Sequence, residues 1–391
     1  MHRDRPLVLM AVFNALDFDG RVQRSAEALA EIADVKVLAL DGGHGFKPTG
    51  YELIVVPMRA GEFGKNRGLH VRFLRHLLKV ARHLRPDVVY GHDFFMAFPA
   101  WLAARLTGAR FVYDAHELII PGSLGYARVP LSERVWYALE RAVVGRADLV
   151  IAANAARAAK MAEHYRLEQT PTPVRNLTPA PVSQLDDATV LARYPALQRR
   201  SQSECLCVYQ GDVALDRGLG TLLDAFDLLP ADYRLLVIGG GQDLDKVRER
   251  SRAANIDVVG RVPRGDLFDM LRLCDAGVVT YSFSGFNNLY CAPNKVFEYA
   301  HGGIPIVATG QPTLVELVHE TGIGCIAGEA LQPPTPQQMA EAIVRTRADR
   351  DRHRGAFGPF LAANKWQFEA ERLQRAVAGL LAGAGERVRA S

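Results

Sequence analysis

No run of apolar residues in this 391-residue chain approaches the roughly 20 that a membrane-spanning helix needs. The opening stretch MHRDRPLVLMAVFNALDFDG turns polar too soon for a secretory leader. Cysteine is scarce and odd in number: Cys205, Cys207, Cys274, Cys291 and Cys325. The Cys205–Cys207 pair has no second pair or histidine cluster beside it. That excludes the common zinc patterns and a disulfide framework, and it points to reduced core thiols in a cytoplasm. A net charge of +4 is too small to imply nucleic acid unless the charge is local. Glycine clusters exist, but neither GGHGFKPTG nor GGGQD has the G-x-G-x-x-G spacing on a strand–turn–helix. A nicotinamide enzyme therefore has little support.

What the chain does have is alternation. Uniformly apolar short runs, LVLMAV, VKVLAL, ELIVV, DVVYGH, RFVYDA and DLVIAA, are separated by helical patterns through the first half. After a proline-rich stretch the pattern restarts with CLCVYQG, YRLLVIGGG, IDVVG, AGVVTYS, IPIVAT and IGCIAG. Strands apolar on both faces belong to parallel sheets covered by helices above and below. The reading is α/β: two Rossmann-like parallel-sheet domains, with ligands at the carboxyl ends of the strands in a cleft between them. The expected boundaries are 1–170 for the first domain and 171–200 for a stiff linker containing Pro171, Pro173, Pro179 and Pro181. The second domain takes 201–362, and a last helical stretch, 363–391, crosses back to the first.

Chemistry-bearing residues gather at predicted strand ends. In APNKVFEYAHGG, Pro293 suits the first turn of a helix, which puts Asn294 and Lys295 at its positive end, where phosphate is favoured. Glu298 lies one turn on, where a carboxylate can accept two vicinal ribose hydroxyls. In YQGDVALDRGL, Gly211 ends a strand and Arg217 stands at the next helix start, able to grip a diphosphate. Gly260 and Arg261 follow a third strand, where backbone can approach a flat base. In the first half Gly20 and Arg21 open a helix after strand one. His92, Asp93, His116 and Glu117 end two later strands. His-Asp and His-Glu dipeptides alone are weak evidence for metal ligands, and no metal is expected.

In this order, these motifs resemble glycosyltransferase family 4 over nearly the whole chain. The resemblance implies a GT-B architecture and transfer of a sugar with retention from a nucleoside-diphosphate-sugar, UDP before GDP, without a metal cofactor. Glu298 matches the second acid of the family's E-x7-E motif and would hold the donor ribose. Arg217 and Lys295 would neutralise the diphosphate, and Gly260 and Arg261 would frame the base. His116 would contact the donor sugar near its reacting carbon. Gly20 and Arg21 match the loop that closes over the diphosphate and faces the acceptor. Two positions depart from the pattern. Tyr290 stands where the motif's first acid belongs, and Asp212 where many members have arginine. Two other classes share parts of this pattern: a nucleotide-sugar epimerase and a non-catalytic nucleotide-sugar-binding subunit.

The segment 65–87, KNRGLHVRFLRHLLKVARHLRPD, carries basic residues and no acid before Asp87. Arg72, Arg75, His76, Lys79, Arg82 and His83 recur on one helical face, with Phe73, Leu74, Leu77, Leu78, Val80, Ala81 and Leu84 on the other. A docked helix with a cationic outside can meet an anionic membrane surface. That makes the expected protein cytoplasmic and peripheral on the inner face of the plasma membrane, acting on a glycan or lipid-linked acceptor in envelope polysaccharide or glycolipid synthesis. Nucleic acid is not expected as partner, because aromatic residues do not interleave the basic ones.

Overall fold

The computed structural model describes residues 3–43, 45–58, 67–121, 131–179, 181–251 and 255–389. The chain divides into two compact units. The first comprises Met1–Asn176 with Trp366–Ser391, and the second Leu177–Lys365.

The first unit holds a sheet of β1 (Leu7–Ala15), β2 (Asp34–Leu40), β3 (Glu52–Val56), β4 (Val88–His92), β5 (Arg110–Ala115), β6 (Leu149–Ala152) and β7 (Thr172–Pro173), in the order β3-β2-β1-β4-β5-β6-β7. Every pairing is parallel. Val8, Met10, Val37, Val88 and Val112 are fully buried, as expected of strands covered on both faces. The last helix, Trp366–Arg389, belongs to this core through buried Leu373 and Val377. Glu369, wholly buried, accepts from the Arg175 backbone N–H at 3.1 Å and its Nε at 2.8 Å. Those bonds tie the end of the chain to the residues just after β7.

The second unit repeats the plan with β8 (Cys205–Asp212), β9 (Tyr233–Gly240), β10 (Ile256–Gly260), β11 (Ala276–Val279), β12 (Ile306–Thr309) and β13 (Gly324–Ala327), in the order β10-β9-β8-β11-β12-β13. These pairings are also all parallel. Strand order reverses beside β8, so its carboxyl end is a topological switch point, the usual ligand position in open α/β sheets.

The proline-rich stretch is shared between the units rather than standing apart from both. Thr172 and Pro173 form the edge strand β7, with Ile151 opposite Thr172; an edge is where a strand tolerates proline. Further on, Asp269 accepts from the Ser183 hydroxyl at 2.6 Å and from the Gln184 and Leu185 backbone N–H groups, both at 3.0 Å. That anchors the stretch before the helix Asp187–Arg193.

The basic segment forms the helix Arg67–Leu84. Leu69, Phe73, Leu77 and Ala81 are buried at helical spacing, while Arg75, Lys79, Arg82 and His83 line an open depression on the outer side. Arg72 donates to the Pro57 carbonyl at 3.0 Å, so one of the cations is spent within the fold. Lys65 lies outside the described residues. Among the described residues, no helix is long and apolar enough to cross a membrane.

Candidate functional site

At the carboxyl end of β8, Gly211 adopts φ 127°, a backbone state closed to most side chains. A Cβ there would stand 2.7 Å from the Lys295 ammonium. The missing side chain is the slot that Lys295 fills. Its Nζ lies 4.8 Å from the centre of the Tyr209 ring and 5.9 Å from that of Tyr281. Lys295 comes from the helix Asn294–His301, which no side chain caps at its start; its amide ends therefore stand available to an anion. Pro293 sits one place earlier than expected, at the N-cap. Burial, and then the neighbouring Arg217, push the Lys295 pKa down to about 8, while Glu298 and Asp212 pull it back up.

Glu298 is one turn further along the same helix and accepts from the Gln210 side-chain amide. The Gln210 backbone N–H in turn donates to the Tyr299 hydroxyl at 3.2 Å. Gln210 is a residue that sequence reasoning missed: nothing in YQGD marks it as the holder of an acid 88 positions away. Gln311 is a second. It is fully buried, accepts from the Thr309 hydroxyl at 2.6 Å and donates to the Tyr281 carbonyl at 2.9 Å, which fixes the main chain that carries the Tyr281 ring.

Lys295 and Glu298 open onto a pocket of ≈ 450 Å³, lined by Gln210, Gly211, Asp212, Ile238, Gly239, Gly240, Arg261, Val262, Leu267, Lys295 and Glu298. Ile238, Val262 and Leu267 supply an apolar wall. The glycines of GGGQD are there for space: a Cβ on Gly239 would fall 1.9 Å from the Gly211 carbonyl oxygen, and one on Gly240 would fall 2.6 Å from the Arg261 Nε. Arg261 is on the wall, and Gly260, at φ 87°, turns the chain ahead of it. Arg217 stands outside the wall. It is 38% exposed, pairs with Asp212 at 3.4 Å, and lies 5.5 Å over the Tyr281 ring that Lys295 also approaches. Asn294 and Tyr290 are also off the wall; Tyr290 ends the short helix Phe286–Leu289 with its ring stacked on Phe286 at 6.2 Å.

The first unit carries a second polar cluster at the ends of β4 and β5. Arg21 does not present a cation to solvent, which corrects its expected place over a diphosphate. Its Nη2 and Nε donate to Asp114 at 2.6 and 3.3 Å, and its Nη1 to the Val174 carbonyl at 2.8 Å, so the whole guanidinium is engaged. Gly20 begins the helix that carries it, capped by Asp19. Asp114, missed in the sequence because RFVYDA reads as core, is the hub of the cluster. It also accepts from the Tyr90 hydroxyl at 3.0 Å and lies 3.4 Å from His92 Nδ1. Although burial opposes the charge, Arg21 and the two histidines hold its carboxyl well below the usual carboxylate range.

His116 stands at the outer edge of this cluster, 17% exposed, with its Nε2 3.1 Å from His92 Nδ1. Burial pushes its pKa down to about 4 against the pull of Asp114, so the ring is neutral near pH 7. His92, Asp114 and His116 bring ligand-type atoms within 4.8 Å of one another. Asp114 already has a fixed guanidinium partner there, and a divalent cation would have to share the carboxylate with it. Asp93, next to His92, is held at φ 64° and ψ 165°, caps the helix Phe94–Thr107 through the Phe94 N–H, and is pushed up to about 8 mainly by burial.

Two family models match, one on each unit. Residues 21–175 match Glycosyltransferase Family 4, and residues 204–349 match Glycosyl transferases group 1. This chain belongs to the glycosyltransferases.

Among curated proteins it is 24% identical over 290 residues to the glycogen synthase of Mycobacterium tuberculosis, covering 69% of this chain and 66% of that relative. The match thus spans just under two thirds of the relative's length. Among solved structures, sucrose-phosphate synthase from Thermosynechococcus elongatus gives a TM-score of 0.73 at 16% identity, covering 97% of this chain and 100% of that one. Anabaena HepE in complex with UDP gives 0.70 at 14%, with 97% and 100% covered. WaaG, a glycosyltransferase of lipopolysaccharide biosynthesis, gives 0.62 at 17%, with 94% of each chain covered. These likenesses establish the fold of this glycosyltransferase as GT-B.

Proposed function

We propose that the chain transfers a hexose, with retention of configuration, from a nucleoside-diphosphate-sugar to a glycan or lipid-linked acceptor. The observation that carries this reading is the pairing of Lys295 over Gly211 with Glu298 on the wall of one pocket at the end of β8. The ammonium and the uncapped helix start would receive the diphosphate, and the Gln210-held carboxylate the ribose. Arg261, Val262 and Leu267 would flank the base. UDP is the first candidate, since HepE, of the same fold, is described in complex with UDP and with UDP-glucose.

Cleavage of the anomeric C–O bond builds negative charge on the departing diphosphate. Lys295, helped by Arg217 and the helix amides, would stabilise that charge where water is partly excluded. Those groups supply the role a metal would otherwise fill, and the phosphate oxygen itself can take the acceptor proton. A neutral His116 offers the sugar a hydrogen bond without adding positive charge beside a developing oxocarbenium ion.

The outward face formed by Arg75, Lys79 and Arg82 supports cytoplasmic work at an anionic membrane, in envelope polysaccharide or glycolipid synthesis, at about 1 kcal/mol per basic residue near the surface. Co-sedimentation with anionic vesicles tests this. Salt should release the protein, and binding that is absent or indifferent to salt removes the electrostatic reading.

The donor site is tested by a thermal-shift panel of UDP, GDP, ADP and TDP, each with and without magnesium. A ligand at 100 times its dissociation constant adds about 2.7 kcal/mol. One nucleotide should stabilise the protein without metal, and Lys295→Ala or Glu298→Ala should abolish the shift. No shift with any nucleotide, or a shift that survives both substitutions, overturns the reading.

A further inference from the structure

Four of the five cysteines are buried; Cys325, on the edge strand β13, is not. Its Sγ lies 3.5 Å from Nε2 of His353. The other ring nitrogen of His353, Nδ1, is 2.7 Å from the Gly322 carbonyl oxygen, so it carries the proton and Nε2 turns its lone pair to the sulfur. A nucleophile, a base and a group that orients the base are the three parts of an activated thiol. His353 is 2% exposed and held by its helix, Arg350–Ala363. Cys325 also lines a separate pocket of ≈ 330 Å³, with His319, Arg345 and Gly328 among others, that shares no residue with the donor pocket.

We propose that Cys325 and His353 form a thiol-exchange site in the second unit that takes a small anionic disulfide. His353 accepts the thiol proton, and the Cys325 thiolate attacks one sulfur of the disulfide R–S–S–R. The new S–S bond forms as the old one breaks, and the departing R–S⁻ collects the proton to leave as R–SH. The disulfide is the oxidant, and no other reagent is needed. Arg345, which lines the pocket and donates to the Ile326 carbonyl at 3.2 Å, brings positive charge to it and selects an anionic R group. The hydrogen bond to His353 holds the thiol below its usual pKa against the effect of burial. The charged and titratable groups around it are His353 and Asp349 from one helix end, Arg345 from the preceding helix and His319 from the turn before β13.

The test uses the full chain. Iodoacetamide labelling, resolved by cysteine with mass spectrometry, should show Cys325 reacting ahead of the other four. Its half-maximal rate should fall below the free-thiol value of about pH 8.5. His353→Gln should slow Cys325 by about tenfold near pH 7 and leave the other four unchanged. Dithiodipropionate should form its mixed disulfide about tenfold faster than cystamine, and Arg345→Gln should narrow that gap. A wild-type profile at or above the free-thiol value overturns the proposal even if the His353 variant fails to fold. Equal rates for the two disulfides, or a Cys325 rate indifferent to His353→Gln, does the same. Nucleotide binding plays no part in these readouts, so the result stands apart from the donor-site reading.

Discussion

Lys295 and Gly211 share one space: any Cβ at 211 would lie 2.7 Å from the ammonium and 2.8 Å from its Cε. The lysine is thus laid along the end of β8 by what its neighbour lacks. It is half-buried there at a cost to its charge, which the anion of the proposed donor would relieve.

That cost has a sign. The folded-state pKa of Lys295, about 8, lies below its ordinary value of 10.5. Folding is therefore penalised while the ammonium persists, and the penalty fades as pH rises from 8 toward 10.5. Lys295→Met should raise the unfolding midpoint of the ligand-free protein by a few degrees near pH 7 and eliminate nucleotide binding. Wild-type affinity, measured by titration calorimetry, should decline as pH rises through about 8. A methionine variant less stable than wild type would contradict the assignment.

Asp114 and Arg21 form an ion pair with side chains 1% and 6% exposed. Removing one partner leaves a buried charge alone, so Asp114→Asn should lose about 3–5 kcal/mol in denaturant unfolding. The double replacement Arg21→Met with Asp114→Leu should recover most of it. Because the carboxyl is held well below its usual range, its contribution is complete above the ordinary carboxylate pKa of about 3.9 and shrinks as pH falls below that. A double variant as unstable as Asp114→Asn counts against a pairwise origin.

His116 stays neutral down to about pH 4. Since its folded pKa is below the ordinary 6.5, the unfolded chain takes up a proton first, and stability drops as pH falls from 6.5 to 4. The rate of sugar transfer should show no inflection near 6.5 that vanishes in His116→Gln. Under the proposed donor-sugar role, His116→Ala should lower kcat by about a hundredfold. A wild-type rate in His116→Ala would overturn the proposed donor-sugar role.

Asp93 occupies a backbone region that is nearly exclusive to glycine. Asp93→Gly should therefore stabilise the protein by about 1 kcal/mol, whereas Asp93→Ala keeps the strain, loses the Phe94 cap and should cost about 1 kcal/mol. With the folded pKa raised to about 8, the residue favours folding at low pH, and that contribution is lost as pH rises from about 4 through 8. Asp93→Asn should flatten this dependence in thermal unfolding across that range. If the glycine variant is the less stable of the two, strain at this position is not what the backbone angles indicate.

Much of this was written in local pattern. The uniformly apolar runs and the helical stretches between them determined two parallel α/β units, because a strand apolar on both faces has to be covered twice. Lys295, Glu298 and Arg261 were legible because each follows a strand end and neighbours a turn or a helix start. The strand β7 was hidden, since two residues with a proline carry no periodicity; pairing with β6 alone makes them a strand.

What the tertiary structure decided is which charges are available. Arg21 and Arg217 read alike in sequence, as basic residues at helix starts that follow strands. One is consumed by Asp114 and a carbonyl deep in the first unit, while the other is 38% exposed beside Tyr281. Gln210, Asp114 and Gln311 gained roles only through partners far along the chain. Local sequence encodes the period of burial, residue by residue. Hydrogen-bond partnership between distant strand ends is a property of register and packing, and it exists only once the sheet has formed.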